Sequence, residues 1–68
     1  MKNKKTYRMV IHFADGRIKD EKNWGDVGIG FDRCRHSTAS PYEDYVEING
    51  IMFRLDKKDE AIQYFSKV

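Results

Sequence analysis

Residues 45–55 read YVEINGIMFRL, and this stretch decides the fold. Its centre, Asn49-Gly50, is the dipeptide most typical of a two-residue turn between antiparallel strands. Such a turn pairs Ile48 with Ile51 and sends alternate side chains to opposite faces. The two faces are Val46, Ile48, Ile51, Phe53 and Leu55 on one side, and Tyr45, Glu47, Met52 and Arg54 on the other. The sequence therefore predicts a β-hairpin whose first face lies in the core.

A second hairpin is predicted nearer the N-terminus. Residues 7–13, YRMVIHF, alternate with a period of two, which is typical of a half-buried strand. Asp-Gly follows at 15–16 and favours a two-residue turn. That turn would pair Phe13 with Ile18 and place Ile18 on the core face.

The chain between the two hairpins is less regular. Beyond the first turn, pairing is expected to stop or bulge near Lys19, because Asp20 would otherwise enter the core face. Residues 19–26 are predicted to form a charged loop around Trp24. Residues 27–31, VGIGF, alternate apolar residues with glycine and predict a third strand.

The C-terminal segment predicts a helix. A polar loop is expected at residues 32–43, before the strong hairpin. Asp56 is a good N-cap residue, and Asp59 and Glu60 would lie favourably in the first turn. The helix would bury an apolar stripe formed by Ala61, Ile62, Phe65 and Val68.

Together these segments predict an α+β domain. It is a small antiparallel sheet of four to five strands, built from two hairpins, with one C-terminal helix packed on one face. The alternative is a small, partly open barrel capped by the same helix. A length of 68 residues predicts a single domain over 1–68, in which residues 1–5 form a basic and mobile arm.

Composition and charge narrow the function classes. The chain is 40% hydrophobic and 35% charged, and it carries a net charge of +2. Its one cysteine cannot form an internal disulfide, whereas small secreted folds usually carry several, so we expect a cytoplasmic protein. The charge is weakly bipolar, since the first 22 residues are net basic and the rest net acidic. A dedicated nucleic-acid-binding protein usually has a clearer basic excess.

No catalytic, cofactor-binding or metal-binding residues are predicted. Cys34 lies between Arg33 and Arg35, and neighbouring cations favour a thiolate, but no orienting third group accompanies it. Cys34 and His36 form one close pair of potential metal ligands, whereas structural zinc sites use two such pairs. We therefore expect no enzyme, because so short a chain leaves little room for a water-excluding pocket.

The favoured function is that of a small stand-alone binding protein. We expect an inhibitor or adaptor that acts by protein–protein contact. Its size and composition resemble phage or mobile-element products that block a host enzyme or defence complex. Trp, Tyr and Arg most often dominate interface energetics. The predicted contact residues are Trp24, Arg33, Arg35, His36, Tyr45, Met52 and Arg54.

Two alternatives remain open from the sequence. One is a nucleic-acid-binding regulator whose contacts come from the basic arm and the predicted loop around Cys34. Its candidate residues are Lys2, Lys4, Lys5, Arg8, Arg17, Lys19, Arg33 and Arg35. The other is a homodimer joined through an unpaired edge strand, at Tyr7–Phe13 or at Val27–Phe31, in place of a monomer.

Overall fold

Four strands and two helices make up the fold. The structure, a computed structural model, describes residues 6–67. In chain order the elements are β1 (Tyr7–His12), β2 (Ile18–Trp24), α1 (Val27–His36), β3 (Tyr45–Ile48), β4 (Ile51–Arg54) and α2 (Lys58–Ser66). The strands form one antiparallel sheet in the order β2-β1-β3-β4. The predicted α+β class is confirmed, with one helix more than the sequence pattern indicated.

The hairpin of β3 and β4 has the predicted register. Ile48 pairs with Ile51, and Val46 pairs with Phe53. Asn49 and Gly50 have φ values of 51° and 89°, as a type I′ turn requires. The turn is also tied to β1, because Asn49 Oδ1 accepts a hydrogen bond of 2.9 Å from the Arg8 backbone N–H.

The hairpin of β1 and β2 has a longer turn than predicted. The Phe13 N–H donates to the Arg17 carbonyl at 2.9 Å, which leaves a three-residue loop ending at Gly16, with φ of 96°. One extra loop residue shifts the register by one, so Ile18 pairs with His12. The prediction that Ile18 lies in the core is therefore wrong. Its side chain is 63% exposed on the opposite face.

The predicted charged loop at 19–26 is a strand as far as Trp24. Val10 pairs with Asp20 while Met9 pairs with Lys22, so Glu21 is the additional residue of a β-bulge. The expected irregularity is thus present, two residues beyond Lys19. Asp20 points away from the core because the three-residue loop places it opposite Val10, and the bulge then allows Trp24 to return to the core side.

Residues 27–31, predicted as a strand, form the start of α1, and the predicted polar loop at 32–43 is helical as far as His36. Asp26 is the N-cap, and its Oδ1 accepts a hydrogen bond of 3.0 Å from the Ile29 N–H. The buried residues recur with helical spacing, as Val27, Gly30, Phe31 and Cys34. An apolar alternation over five residues fits either element, and the cap and the later spacing decide for a helix.

The C-terminal helix is present but starts differently from the prediction. Asp56 does not cap it, because Asp56 accepts a hydrogen bond from Arg54 Nε at 2.7 Å, and α2 begins after Lys57. Ala61 and Phe65 are buried, whereas Ile62 is largely exposed, and Val68 lies outside the described residues.

Both helices pack on one face of the sheet around a single core. Inward side chains of β1 and β3, such as Met9 and Val46, meet Phe31 of α1 and Phe65 of α2. The ring of Phe65 also contacts Tyr7 edge-on, with the ring centroids 5.3 Å apart. The opposite face of the sheet is left without a helix in the part of the chain that the structure describes. No helix between residues 6 and 67 has the length and apolar character needed to cross a membrane.

Candidate partner-binding surface

The helix-free side of the sheet, called here the outer sheet face, carries two rows of side chains. Each row crosses all four strands, because the register places the four residues side by side. The first row is Ile18, His12, Tyr45 and Arg54. The second row is Asp20, Val10, Glu47 and Met52. The outer sheet face is therefore a continuous surface to which every strand contributes.

Apolar side chains are exposed on this face. Ile18 is 63% exposed, Met52 50% and Tyr45 42%, while Val10 lies half-buried between them. A lone exposed apolar residue is ordinary, whereas a contiguous exposed apolar patch is typical of interaction sites. A shallow hollow of about 490 Å³ on this face is lined by Val10, Ile18 and neighbouring polar side chains.

Each basic side chain of the outer sheet face has a carboxylate partner. Arg8 Nη2 lies 3.0 Å from Asp20 Oδ2, and His12 Nε2 lies 2.8 Å from Glu47 Oε1. Arg54 contacts both carboxylate oxygens of Asp56, at 2.7 and 3.2 Å. Basic and acidic side chains are consequently interspersed over short distances on this face.

These contacts lower the pKa values of two carboxyl groups on this side of the sheet. The pKa of Asp20 is lowered, chiefly by the hydrogen bond that it accepts from the Lys22 backbone N–H and then by the Arg8 side chain. The pKa of Asp56 is lowered by its hydrogen bonds from Arg54. Both carboxylates therefore stay ionised and hold their partners at neutral pH.

The seven contact residues predicted from the sequence do not lie together. Tyr45, Met52 and Arg54 lie on the outer sheet face. Trp24 and the three residues from α1 lie on the helix side of the domain. The structure thus divides the predicted surface into two.

Trp24 is less available for contact than a loop residue would be. It is half-buried, and its indole Nε1–H donates to the Glu21 carbonyl at 3.0 Å. The guanidinium of Arg33 lies 5.6 Å from the centre of its ring. Trp24 therefore joins the end of β2 to α1 and contributes to packing.

Arg33 and Arg35 point in different directions. Two residues along a helix correspond to a rotation of about 200°. Arg33 lies towards Trp24, whereas Arg35 lines a hollow together with Asp32, His36 and Pro41. These two arginines do not form a joint anion-binding pair.

The candidate nucleic-acid contacts are dispersed as well. Lys2, Lys4 and Lys5 lie outside the described residues. Among the others, Arg8, Arg17 and Lys19 each have a carboxylate within 3.3 Å, from Asp20, Asp15 and Glu21 respectively. These cations do not form a basic stripe.

Cys34 lies on the inner side of α1 and is fully buried, so its thiol is not a surface nucleophile. Burial, and to a smaller extent the nearby Glu21 carboxylate, raises the pKa of the thiol to about 12. The thiol is therefore protonated at neutral pH. Between residues 6 and 67, no three or more His, Cys, Asp or Glu side chains are grouped so as to hold a metal ion.

Some residues of the outer sheet face were not singled out from the sequence. Val10 and His12 were already on the non-core side of the predicted first strand, and Glu47 on that of the first strand of the Asn49-Gly50 hairpin. Joining the two predicted hairpins into one sheet would have brought them together with Tyr45. Ile18 gave no such signal, because its face depends on the length of the turn.

Comparisons of the chain with protein-family models, with curated proteins and with solved structures found no match.

Proposed function

We propose that this protein is a small binding module that acts by protein–protein contact, as an inhibitor or adaptor, through the outer sheet face. The observation that supports this most is the exposure of Ile18, Tyr45 and Met52 on one uncovered face of the sheet. The narrower proposal of a phage or mobile-element product that blocks a host enzyme or defence complex depends on size and composition alone.

The charge on the face favours a protein partner over a nucleic acid. A phosphate backbone is held by cations that are free to contact it. The basic side chains here, Arg8, His12 and Arg54, each already have a carboxylate beside them. A surface that mixes exposed apolar side chains with paired charges suits a protein partner of the same character.

The test compares two surfaces of the same protein. The first variant carries Ile18→Thr, Tyr45→Thr and Met52→Thr, which remove apolar area from the outer sheet face and keep good strand-forming residues. The matched control is Ile29→Ala, which removes an apolar side chain that is 57% exposed on α1. Each tagged protein is incubated with lysate of the native host, and bound proteins are quantified by mass spectrometry.

We expect at least one protein to be retained by the wild type and by Ile29→Ala but lost from the triple variant. Ile18→Thr alone, at the most exposed of the three positions, serves as a second variant should the triple variant unfold. Capture that is unaffected by the triple variant and by Ile18→Thr would contradict the proposal. Capture that disappears on nuclease treatment, or falls steeply with salt, would support the nucleic-acid alternative in its place.

A further inference from the structure

The two edges of the sheet differ in their protection against pairing with another strand. β2 carries the bulge at Glu21, a φ of 70° at Lys22, and a run of four charged residues from Lys19 to Lys22. Bulges and charges are the usual means by which proteins prevent edge strands from pairing. β4, over Ile51–Arg54, has neither bulge nor proline, and its one charged residue, Arg54, is paired with Asp56. β4 is therefore the open edge.

The edges predicted from the sequence are both wrong. β1 lies inside the sheet, with β2 on one side and β3 on the other, so Tyr7–His12 has no free edge. Val27–Phe31 is part of α1. A dimer built through a strand edge must use β2 or β4.

The register of the hairpin turns backbone groups of β4 outwards. In a hairpin with a two-residue turn, Ile51 and Phe53 exchange backbone hydrogen bonds with β3, and the residues that alternate with them point away. These are Met52 and Arg54. The Arg54 carbonyl accepts a hydrogen bond of 2.9 Å from the Lys57 N–H and keeps its second lone pair. The outer edge of β4 thus offers donors and acceptors for one further strand.

Apolar side chains flank this edge on both sides of the sheet. Met52 is half-exposed on the outer sheet face. On the helix side, Phe53 contacts Tyr64 of α2 edge-on, with the ring centroids 5.9 Å apart, and Tyr64 is 44% exposed. A second strand at this edge would cover apolar area above and below its backbone.

We propose that β4 pairs with β4 of a second copy of this protein. The symmetric antiparallel register places Met52 of one copy beside Arg54 of the other, with the two Phe53 residues at the two-fold axis. Each outward donor then meets an outward acceptor, as identical strands allow.

The charges beside the β4 edge favour a second copy of this protein over a partner whose surface is uniformly acidic or uniformly basic. A groove of about 500 Å³ along β4 is lined by Lys57, which precedes α2, and by Glu60 of α2. Neither forms an ion pair with another residue between 6 and 67. A two-fold axis brings this surface, which carries both signs, against an identical one, whereas a partner of a single sign would be repelled by either Lys57 or Glu60. Four residues make a small interface, and we expect a dimer that exchanges with monomer.

Sedimentation velocity from about 10 μM to about 1 mM covers the range of weak association. We expect the average mass of the wild type to rise from 8.1 kDa towards twice that value. Met52→Pro removes the outward N–H without removing a hydrogen bond between β3 and β4, and we expect it to remain monomeric. Met52→Thr, the matched control, changes the same side chain but keeps the N–H, and we expect it to dimerise.

Hydrogen exchange at the Met52 amide provides a measurement that needs no variant. We expect its protection to increase with protein concentration, while amides of β2 stay unchanged. A wild type that stays at 8.1 kDa over the whole range would overturn the proposal. A dimer that survives Met52→Pro, or one that Met52→Thr abolishes, would also overturn it, because the contact would then not use the β4 backbone.

Discussion

Gly30 is the residue at which α1 comes closest to the sheet. A Cβ atom at this position would lie 2.6 Å from the Met9 thioether and 3.0 Å from Trp24 Cβ. Met9 is fully buried, so its side chain has little space into which it can move. A glycine inside a helix lowers its stability by about 1 kcal/mol relative to alanine. At position 30 only a glycine allows α1 to pack this close to the sheet.

We predict that Gly30→Ala destabilises the protein by about 1–2 kcal/mol, because overpacking outweighs the gain in helix propensity. The measurement is chemical denaturation followed by circular dichroism. Gly25→Ala is the control, since a Cβ there meets no atom within 4 Å. A Gly30→Ala variant as stable as the wild type would show that Met9 and Trp24 yield without cost.

Cys34 predicts a dependence of stability on high pH. Its folded pKa of about 12 lies above the value of about 8.5 for an unfolded thiol. Below pH 8.5 the thiol is protonated in both states. Above it only the unfolded thiol ionises, so stability is lost as pH rises towards 12.

We predict that the free energy of unfolding falls between pH 7 and pH 10 by about 1–2 kcal/mol more in the wild type than in Cys34→Ala. The difference between the two proteins removes the contribution of lysines and tyrosines. Equal pH dependence of the two proteins would contradict the buried, protonated thiol.

At the scale of elements, the start of α1 depends on Asp26. Its Oδ1 accepts the Ile29 N–H, one of the four N–H groups that a helix leaves without an internal partner. We predict that Asp26→Ala costs about 1 kcal/mol of stability, while Asp26→Ser, which keeps an acceptor, loses much less. Thermal unfolding of both variants measures this. Equal losses would show that the cap does not hold the helix.

The two hairpins show what the sequence determines locally. Asn49-Gly50 specified turn, register and faces of β3 and β4, because a type I′ turn admits few residues and the apolar alternation agrees with it. At 15–16 the same kind of dipeptide occurs in a three-residue loop. The carboxylate of Asp15 accepts hydrogen bonds from both the Arg17 backbone N–H and its Nε, which stabilises the longer loop. That choice of turn could not be inferred from the pattern, and it moved Ile18 from the core to the surface.

A further difference from the prediction is α1, whose cap and later apolar spacing are local but whose glycine at position 30 has a tertiary cause. Val27, Ile29 and Phe31 alternate as a strand would, and two glycines lower the helix propensity. The glycine at position 30 is needed for contact with Met9 of β1, which becomes evident only when helix and sheet are packed together. The positions of Tyr45, Met52 and Arg54 on one face were consequently predictable, whereas Trp24, predicted to lie in a loop, is at the end of β2 on the helix side.

Over residues 6–67 the molecule has two layers, a sheet and a pair of helices, and the helices cover one face of the sheet. Two short helices cover one face of a four-stranded sheet, and the described residues leave the outer sheet face uncovered. A domain of this size buries about 60% of its unfolded surface. Exposed apolar area at Ile18, Tyr45 and Met52 is therefore a substantial feature of the surface that remains.

The charges of the whole molecule are small in sum, and several are locally paired. The net charge of +2 is small, and the cations of β1, β2 and β4 at Arg8, Lys19 and Arg54 have carboxylates beside them. Long-range electrostatic attraction of a polyanion is correspondingly weak. Short-range apolar contact is the stronger basis for binding.

The most direct measurement is the affinity of the captured partner for three proteins: the wild type, the variant with threonine substitutions at Ile18, Tyr45 and Met52, and Ile29→Ala. Isothermal titration at constant salt gives the three dissociation constants. We predict that the triple variant binds at least about tenfold more weakly, as the loss of a central interface residue implies, and that Ile29→Ala equals the wild type. Equal affinity of the wild type and a folded triple variant would contradict the assignment of the outer sheet face as the binding surface.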